Sequence, residues 1–154
     1  MHLFEENIKN LGLNIPELPK ALANYVPYKI VGKTMYISGQ APVQNGELIY
    51  KGKVGSDVTV EDGIKAARLC VTNIIAAVKT GLEGDWDKLD SFVKLTGFVN
   101  CQDDFTDQPK IINGASDMLV EIFGDQGRHA RVAVGSNALP LGISVEIDAI
   151  VQLK

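Results

Sequence analysis

Cysteine, histidine and tryptophan are scarce: two, two and one residues in a chain of 154. Two isolated thiols, Cys70 and Cys101, cannot build a disulfide framework or a thiolate cluster, and His2 and His129 share no metal-ligand spacing. No bound metal is expected, and no motif calls for an organic cofactor. Long apolar runs are also missing. Nothing approaches the roughly 20 residues needed to span a bilayer, and "MHLFEENIKN" carries acids where a secretion signal would be basic and then apolar. The expectation is a cytoplasmic protein with no membrane partner. Positive charge is in deficit, 15 Lys and Arg against 19 Asp and Glu for a net charge of −4. That balance argues against broad electrostatic capture of nucleic acid and leaves room only for a local basic cleft.

Against these absences, 45% hydrophobic and 22% charged residues describe a chain able to bury a core. The length fits a single domain over 1–154, with 1–20 as an N-terminal helical extension. "LFEENIKNLGL" spaces Phe4, Ile8 and Leu11 near a helical period and offers Gly12 as a stop. Pro16 and Pro19 mark a loop. The β-rich runs of "NYVPYKIVGKTMYISGQAPV" then read as a hairpin turned at "VGK", and "QNG" signals a second, shorter turn. A long helix starts near Thr59, where Thr59 and Asp62 resemble a capping box, and ends at Gly81. Its stripe is Val60, Ile64, Ala67, Val71, Ile74 and Val78. Cys70 falls within this helix and reads as a small buried hydrophobe. "LDSFVKLTGFVNC" alternates Val93, Leu95, Gly97 and Val99 against Phe92, Lys94, Thr96 and Phe98, the pattern of a strand, with Cys101 more exposed at its end. A second helix follows, with Pro109 in its first turn, Ile112, Ala115, Leu119 and Ile122 on its stripe, and Gly124 at its stop. Strands at "ARVAVGS" and "ISVEIDAIVQL" close the chain. Two long helices cannot cover both faces of such a sheet, so the fold is α+β, with one sheet face left to solvent or to another subunit.

Arg131 stands inside an otherwise apolar strand. Val132 and Val134 alternate against Arg131, Ala133 and Gly135; in the last strand Val145, Ile147, Ala149 and Val151 alternate against Ser144, Glu146, Asp148 and Ile150. Assigning both aliphatic sets to the helix-covered core puts Arg131, Glu146 and Asp148 together on the open face. A hairpin centred between Leu139 and Pro140 would then set Arg131 nearly opposite Asp148. A plain cross-strand salt bridge satisfies this pattern, at about 0 to 1 kcal/mol when exposed. A ligand site satisfies it too: the guanidinium fork suits a carboxylate, and a neighbouring acid can orient or deprotonate a water.

The segments "SGQAPV", "GFVNCQDDF" and "HARVAVGSNALPLGISVEIDAI", in that order, resemble the YjgF/RidA (reactive intermediate deaminase) family, from about Tyr25 onward. The N-terminal helix, the glycine-rich connection and "GRHAR" resemble its longer subgroup. The resemblance implies a chorismate-mutase-like mixed sheet with two long helices on one face, assembling as a homotrimer with ligand clefts between subunits. It implies hydrolytic deamination of reactive 2-imino acids or enamines to 2-oxo acids and ammonia, without a cofactor. By the same resemblance Arg131 binds the substrate carboxylate, Asp148 stands for the glutamate that holds the attacking water, and Tyr25 lines the cleft. Asn113 lies near the site, Ser38 and Gly39 form a wall, and Ala133 stands where a cysteine is common. Phe98 and Tyr36 share a side by strand parity and serve either as cleft walls or as interface packing. A shorter acid at 148 displaces a water by about 1 Å, which can cost on the order of 100-fold in rate. The alternatives are therefore a non-catalytic, small-carboxylate-binding or chaperone-like trimer, a purely structural oligomer and, further off, an endoribonuclease.

Overall fold

Turn and cap signals in the sequence fall where the chain changes structure. The computed structural model describes residues 1–18 and 23–154. Helix α1 (Leu3–Asn10) precedes strands β1 (Tyr28–Val31), β2 (Thr34–Gln40), β3 (Val43–Gln44) and β4 (Glu47–Leu48). Helix α2 (Val60–Gly81), β5 (Leu89–Asn100), α3 (Gln108–Phe123), β6 (Ala130–Ser136) and β7 (Val145–Leu153) follow. The Thr59 side chain accepts the Asp62 backbone N–H at 3.1 Å, closing the start of α2, a contact worth about 1 kcal/mol. Asn45 and Gly46, with φ of 53° and 79°, make the β3–β4 turn in the left-handed conformation that a two-residue hairpin favours.

Five strands form one sheet in the order β1-β2-β7-β5-β6, and β3 with β4 forms a separate ribbon. The β5–β6 pair is parallel and joined across α3, while the other pairs of the large sheet are antiparallel. Helices α2 and α3 cover one face. Phe92, Leu95, Val99, Ile147 and Val151 are buried beneath them with Ile74, Ile112 and Leu119. Contact between layers is close: a Cβ on Gly97 would lie 2.6 Å from Ile112 Cδ1, so α3 rests on β5 where the strand has no side chain.

Helix α1 is fastened to this frame. Phe4 and Ile8 are buried, and the Phe4 ring lies 4.9 Å from that of Phe123. Glu5 accepts from Trp86 Nε1 at 2.8 Å and meets Lys79 at 2.7 Å. These bonds, Lys79 first and Trp86 next, hold the Glu5 carboxyl below its ordinary value. The helix ends at Asn10, just before the Gly12 stop; Leu13 to Leu18 have no regular structure, and Pro19 and Lys20 lie outside the described residues.

Three expectations are corrected. The alternation of β5 breaks at its start: Phe92 is buried and Val93 is 41% exposed. The cause is a register shift against β7 between Phe92 and Lys94, which turns one residue out of phase. Cys101 is buried rather than exposed, because β5 continues into a bridge with Val54. Most consequential, β6 and β7 are not a hairpin: β5 lies between them. Among the described residues no helix is long and apolar enough to cross a membrane, and no group of three or more His, Cys, Asp or Glu is placed to hold a metal.

Candidate functional site

Register decides which face each side chain takes. Leu95 pairs with both Arg131 and Ala149, and Gly97 with both Ala133 and Ile147, on the helix-covered face. Thr96 pairs with Val132 and Asp148, and Phe98 with Val134 and Glu146, on the open face. Arg131 and Asp148 therefore project to opposite sides of the sheet and do not pair across it. The aliphatic rule failed on β6 because it is an edge strand whose valines belong to the uncovered face: Val132 and Val134 are 40% and 39% exposed.

The expected site residues fall into two groups. On the helix side, at the β6 edge, Arg131 lies against α3. Its Nη1 donates to Asn113 Oδ1 at 2.8 Å and to Ser116 Oγ at 3.1 Å, and its Nη2 donates to the Pro109 carbonyl at 3.3 Å. Three of the five guanidinium N–H groups are thus engaged, and the two left are on the adjacent nitrogens Nε and Nη2. Ala133 follows on the same side, half-buried. Behind Arg131, His129 Nε2 lies 2.8 Å from Ser116 Oγ and Nδ1 lies 2.7 Å from the Gly127 carbonyl. Burial holds the His129 pKa below its ordinary value, with the Arg131 charge acting in the same direction and the Gly127 bond against both. A groove of about 320 Å³ runs past Ser116, Arg128, His129 and Arg131.

On the open face, β2 bulges between Ile37, which pairs with Ala149, and Gln40, which pairs with Ile147. Ser38 and Gly39 together therefore stand opposite Asp148. The bulge is held by Ser38 Oγ donating to the Val26 carbonyl at 2.7 Å. Tyr25, Val26, Tyr36 and Ser38 share a groove of about 500 Å³. Phe98 and Tyr36 lie on this face, as their parity predicts.

One further residue belongs to this group, beyond those that the sequence motifs mark. Glu146 is half-buried, and a Cβ on Gly39 would sit 3.0 Å from its Oε1, so its carboxyl occupies the space that Gly39 leaves. Burial raises the Glu146 pKa, and the charge of Asp148 raises it further. The signal was present in "VEID", where the two acids share a parity, but only the approach of Gly39 distinguishes them.

An α+β fold with two helices on one face of a mixed sheet, an arginine at its edge and an acid pair on its open face defines the class. The family model described as "YjgF/chorismate mutase-like, putative endoribonuclease" matches residues 5–151. The chain belongs to the YjgF family. It is 40% identical over 149 residues to Protein TCP17 of Trypanosoma cruzi, covering 96% of this chain and 92% of that one. The crystal structure of Atu1372 from Agrobacterium tumefaciens, a protein of unknown function, superposes with a TM-score of 0.93 at 45% identity, covering 99% of this chain and 93% of the other. Escherichia coli TdcF with bound serine matches at a TM-score of 0.65 and 27% identity, covering 88% and 93%.

Proposed function

We propose that the protein hydrolyses reactive 2-imino acids to 2-oxo acids and ammonia in a cleft completed by a second copy of the chain. The observation that carries this reading is Arg131, held by three bonds to α3 with donors left on Nε and Nη2. Such a pair matches the two oxygens of a carboxylate. The bound serine of TdcF, an amino acid with the same carboxylate, supports that ligand class.

Arg131 and the acid pair lie on opposite faces, and β6 is separated from β7 by β5, roughly 10 Å at the usual strand spacing. One small molecule cannot be clasped by both within one chain. The exposed apolar side chains of the open face, Tyr36, Val93, Val132 and Val134, favour an assembly in which these faces cover one another, which agrees with the homotrimer that the family resemblance implies. Arg131 of one copy would then serve Ser38, Gly39, Glu146 and Asp148 of the next, with Tyr25 and Phe98 as walls.

In this cleft the substrate carboxylate binds Arg131, and the protonated imine makes its carbon electrophilic. Glu146, whose raised pKa suits proton transfer nearer neutrality, takes a proton from water as the oxygen adds to that carbon. Asp148 beside it keeps the site negative toward the iminium. Glu146 hands the proton to the carbinolamine nitrogen and takes the hydroxyl proton as the C–N bond breaks, so that the C=O forms and the departing ammonia carries that proton away as ammonium. One water is consumed, and no oxidant or cofactor is needed.

The test is 2-oxo acid release when a pyridoxal-phosphate dehydratase generates 2-aminoacrylate beside the purified protein. Acceleration by wild type, its loss in Arg131→Ala and a fall of about 100-fold or more in Glu146→Gln are expected, with the oligomer retained. No acceleration with a panel of imino acids overturns the enzyme. Saturable 2-oxo acid binding without turnover would favour the second reading, a carboxylate-binding trimer, for which the same arginine and the serine-bound relative speak.

A further inference from the structure

Gly127 begins the short segment "GRHAR" that leads into β6. A Cβ there would lie 2.2 Å from the Leu119 carbonyl oxygen, so the backbone passes against α3 where only glycine fits. This close passage fixes the Gly127 carbonyl, and the carbonyl fixes the state of His129. A carbonyl can only accept, so His129 Nδ1 carries the proton that reaches it at 2.7 Å. In the neutral ring Nε2 is then an acceptor, and the bond at 2.8 Å must be donated by the Ser116 hydroxyl. With its one proton committed, Ser116 Oγ offers lone pairs, and Arg131 Nη1 donates to it at 3.1 Å. The bonds run in one direction from Arg131 through Ser116 and His129, while His129 donates on to Gly127, so each polarises the next.

We propose that Ser116 and His129 are positioning residues for Arg131: they hold one Nη1 hydrogen and thereby aim the free Nε and Nη2 donors at the ligand carboxylate. Asn113 Oδ1 holds the second Nη1 hydrogen and the Pro109 carbonyl one from Nη2, so removing Ser116 leaves the guanidinium attached but free to turn about the remaining contacts. In this role both residues act through the guanidinium, so their loss should act on ligand affinity more than on the chemical step. The proposal rests on Arg131 being the carboxylate anchor.

The test measures binding of 2-oxobutanoate to wild type, Ser116→Ala, His129→Leu, His129→Gln and Arg131→Ala, with KM and kcat for imine hydrolysis alongside. Ser116→Ala and His129→Leu should weaken binding and raise KM about 5- to 20-fold, with kcat within about 3-fold. His129→Gln, which can place an amide oxygen where Nε2 lies, should restore affinity to within about 2-fold. Ser116→Ala with unchanged affinity, while Arg131→Ala abolishes binding, would overturn the positioning role and leave the anchor standing. Unchanged affinity in Arg131→Ala would instead overturn the anchor itself. Nitrogen-15 spectra of the unliganded protein read the relay without ligand or folding ambiguity: wild-type His129 should be the Nδ1–H tautomer, and an Nε2–H tautomer would overturn the proposal. Where Ser116→Ala folds, the Arg131 Nε–H signal should broaden relative to wild type, and an unchanged signal would count against it.

Discussion

The two faces of the five-stranded sheet carry similar aliphatic residues to opposite ends. On the helix face, Leu95, Ile147 and Val151 are fully buried by α2 and α3. On the open face, Val132, Val134 and Tyr36 remain 40%, 39% and 50% exposed, beside the half-buried Glu146. Burial by helices asks only for apolar volume, and it places no demand on polar chemistry. A face that another copy can cover must be apolar enough to associate and can still carry acids at its margin. Apolar alternation therefore identifies that a strand has two faces without saying which one the helices take.

Substitutions on each side should separate these roles. The largest loss of stability is expected on the covered face: Leu95→Ala should lower unfolding free energy by about 2–5 kcal/mol in urea, through lost transfer energy and a residual cavity. Thr59→Ala, at the start of the helix that covers this face, should cost about 1 kcal/mol in the same experiment. On the open face, Val134→Ser should change the intrinsic stability of the protomer by only about 0.5 kcal/mol. It should nevertheless shift sedimentation toward smaller species; an unchanged assembly would show that this face is not the contact.

The two titratable groups sharpen the same comparison through pH. On the covered side, His129 has a folded pKa below its ordinary value of 6.5, so the unfolded chain takes up its proton first as pH falls. Stability should be fully present above that value and decline on acidification until the folded pKa is passed, and His129→Gln should remove that part of the slope. On the open side, Glu146 has a folded pKa above 4.5, so ionising it penalises the native state as pH rises through that window. Glu146→Gln should then melt slightly higher than wild type at pH 7 while losing turnover. A lower melting temperature would mean that the carboxylate is needed for assembly.

Much of the architecture was legible. The caps at Thr59 and Gly124, the "VGK" and "QNG" turns and the stripes of both long helices fall where local chemistry put them, because each signal acts within a few residues. The edge of the site was less legible. Tyr25 and Ser38 share a groove on one side of the sheet, and Asn113 accepts from Arg131 on the other. The supposed Arg131–Asp148 neighbourhood failed because it assumed that consecutive strands pair, whereas α3 carries the chain across and β7 returns between β2 and β5. Parity alone marks Glu146 as one of two charges on the open face; the close approach of Gly39 sets it apart.

By itself, then, the sequence determined the elements, their apolar stripes and the presence of an arginine and an acid pair in the closing strands, all matters of local period and residue chemistry. Which face each side chain takes, that Ser116 and His129 stand behind Arg131, and that Arg131 and Asp148 lie on opposite sides of the sheet were decided only by tertiary structure. Those relations depend on strand order and on the passage of Gly127 against α3, and they join residues that no local spacing connects.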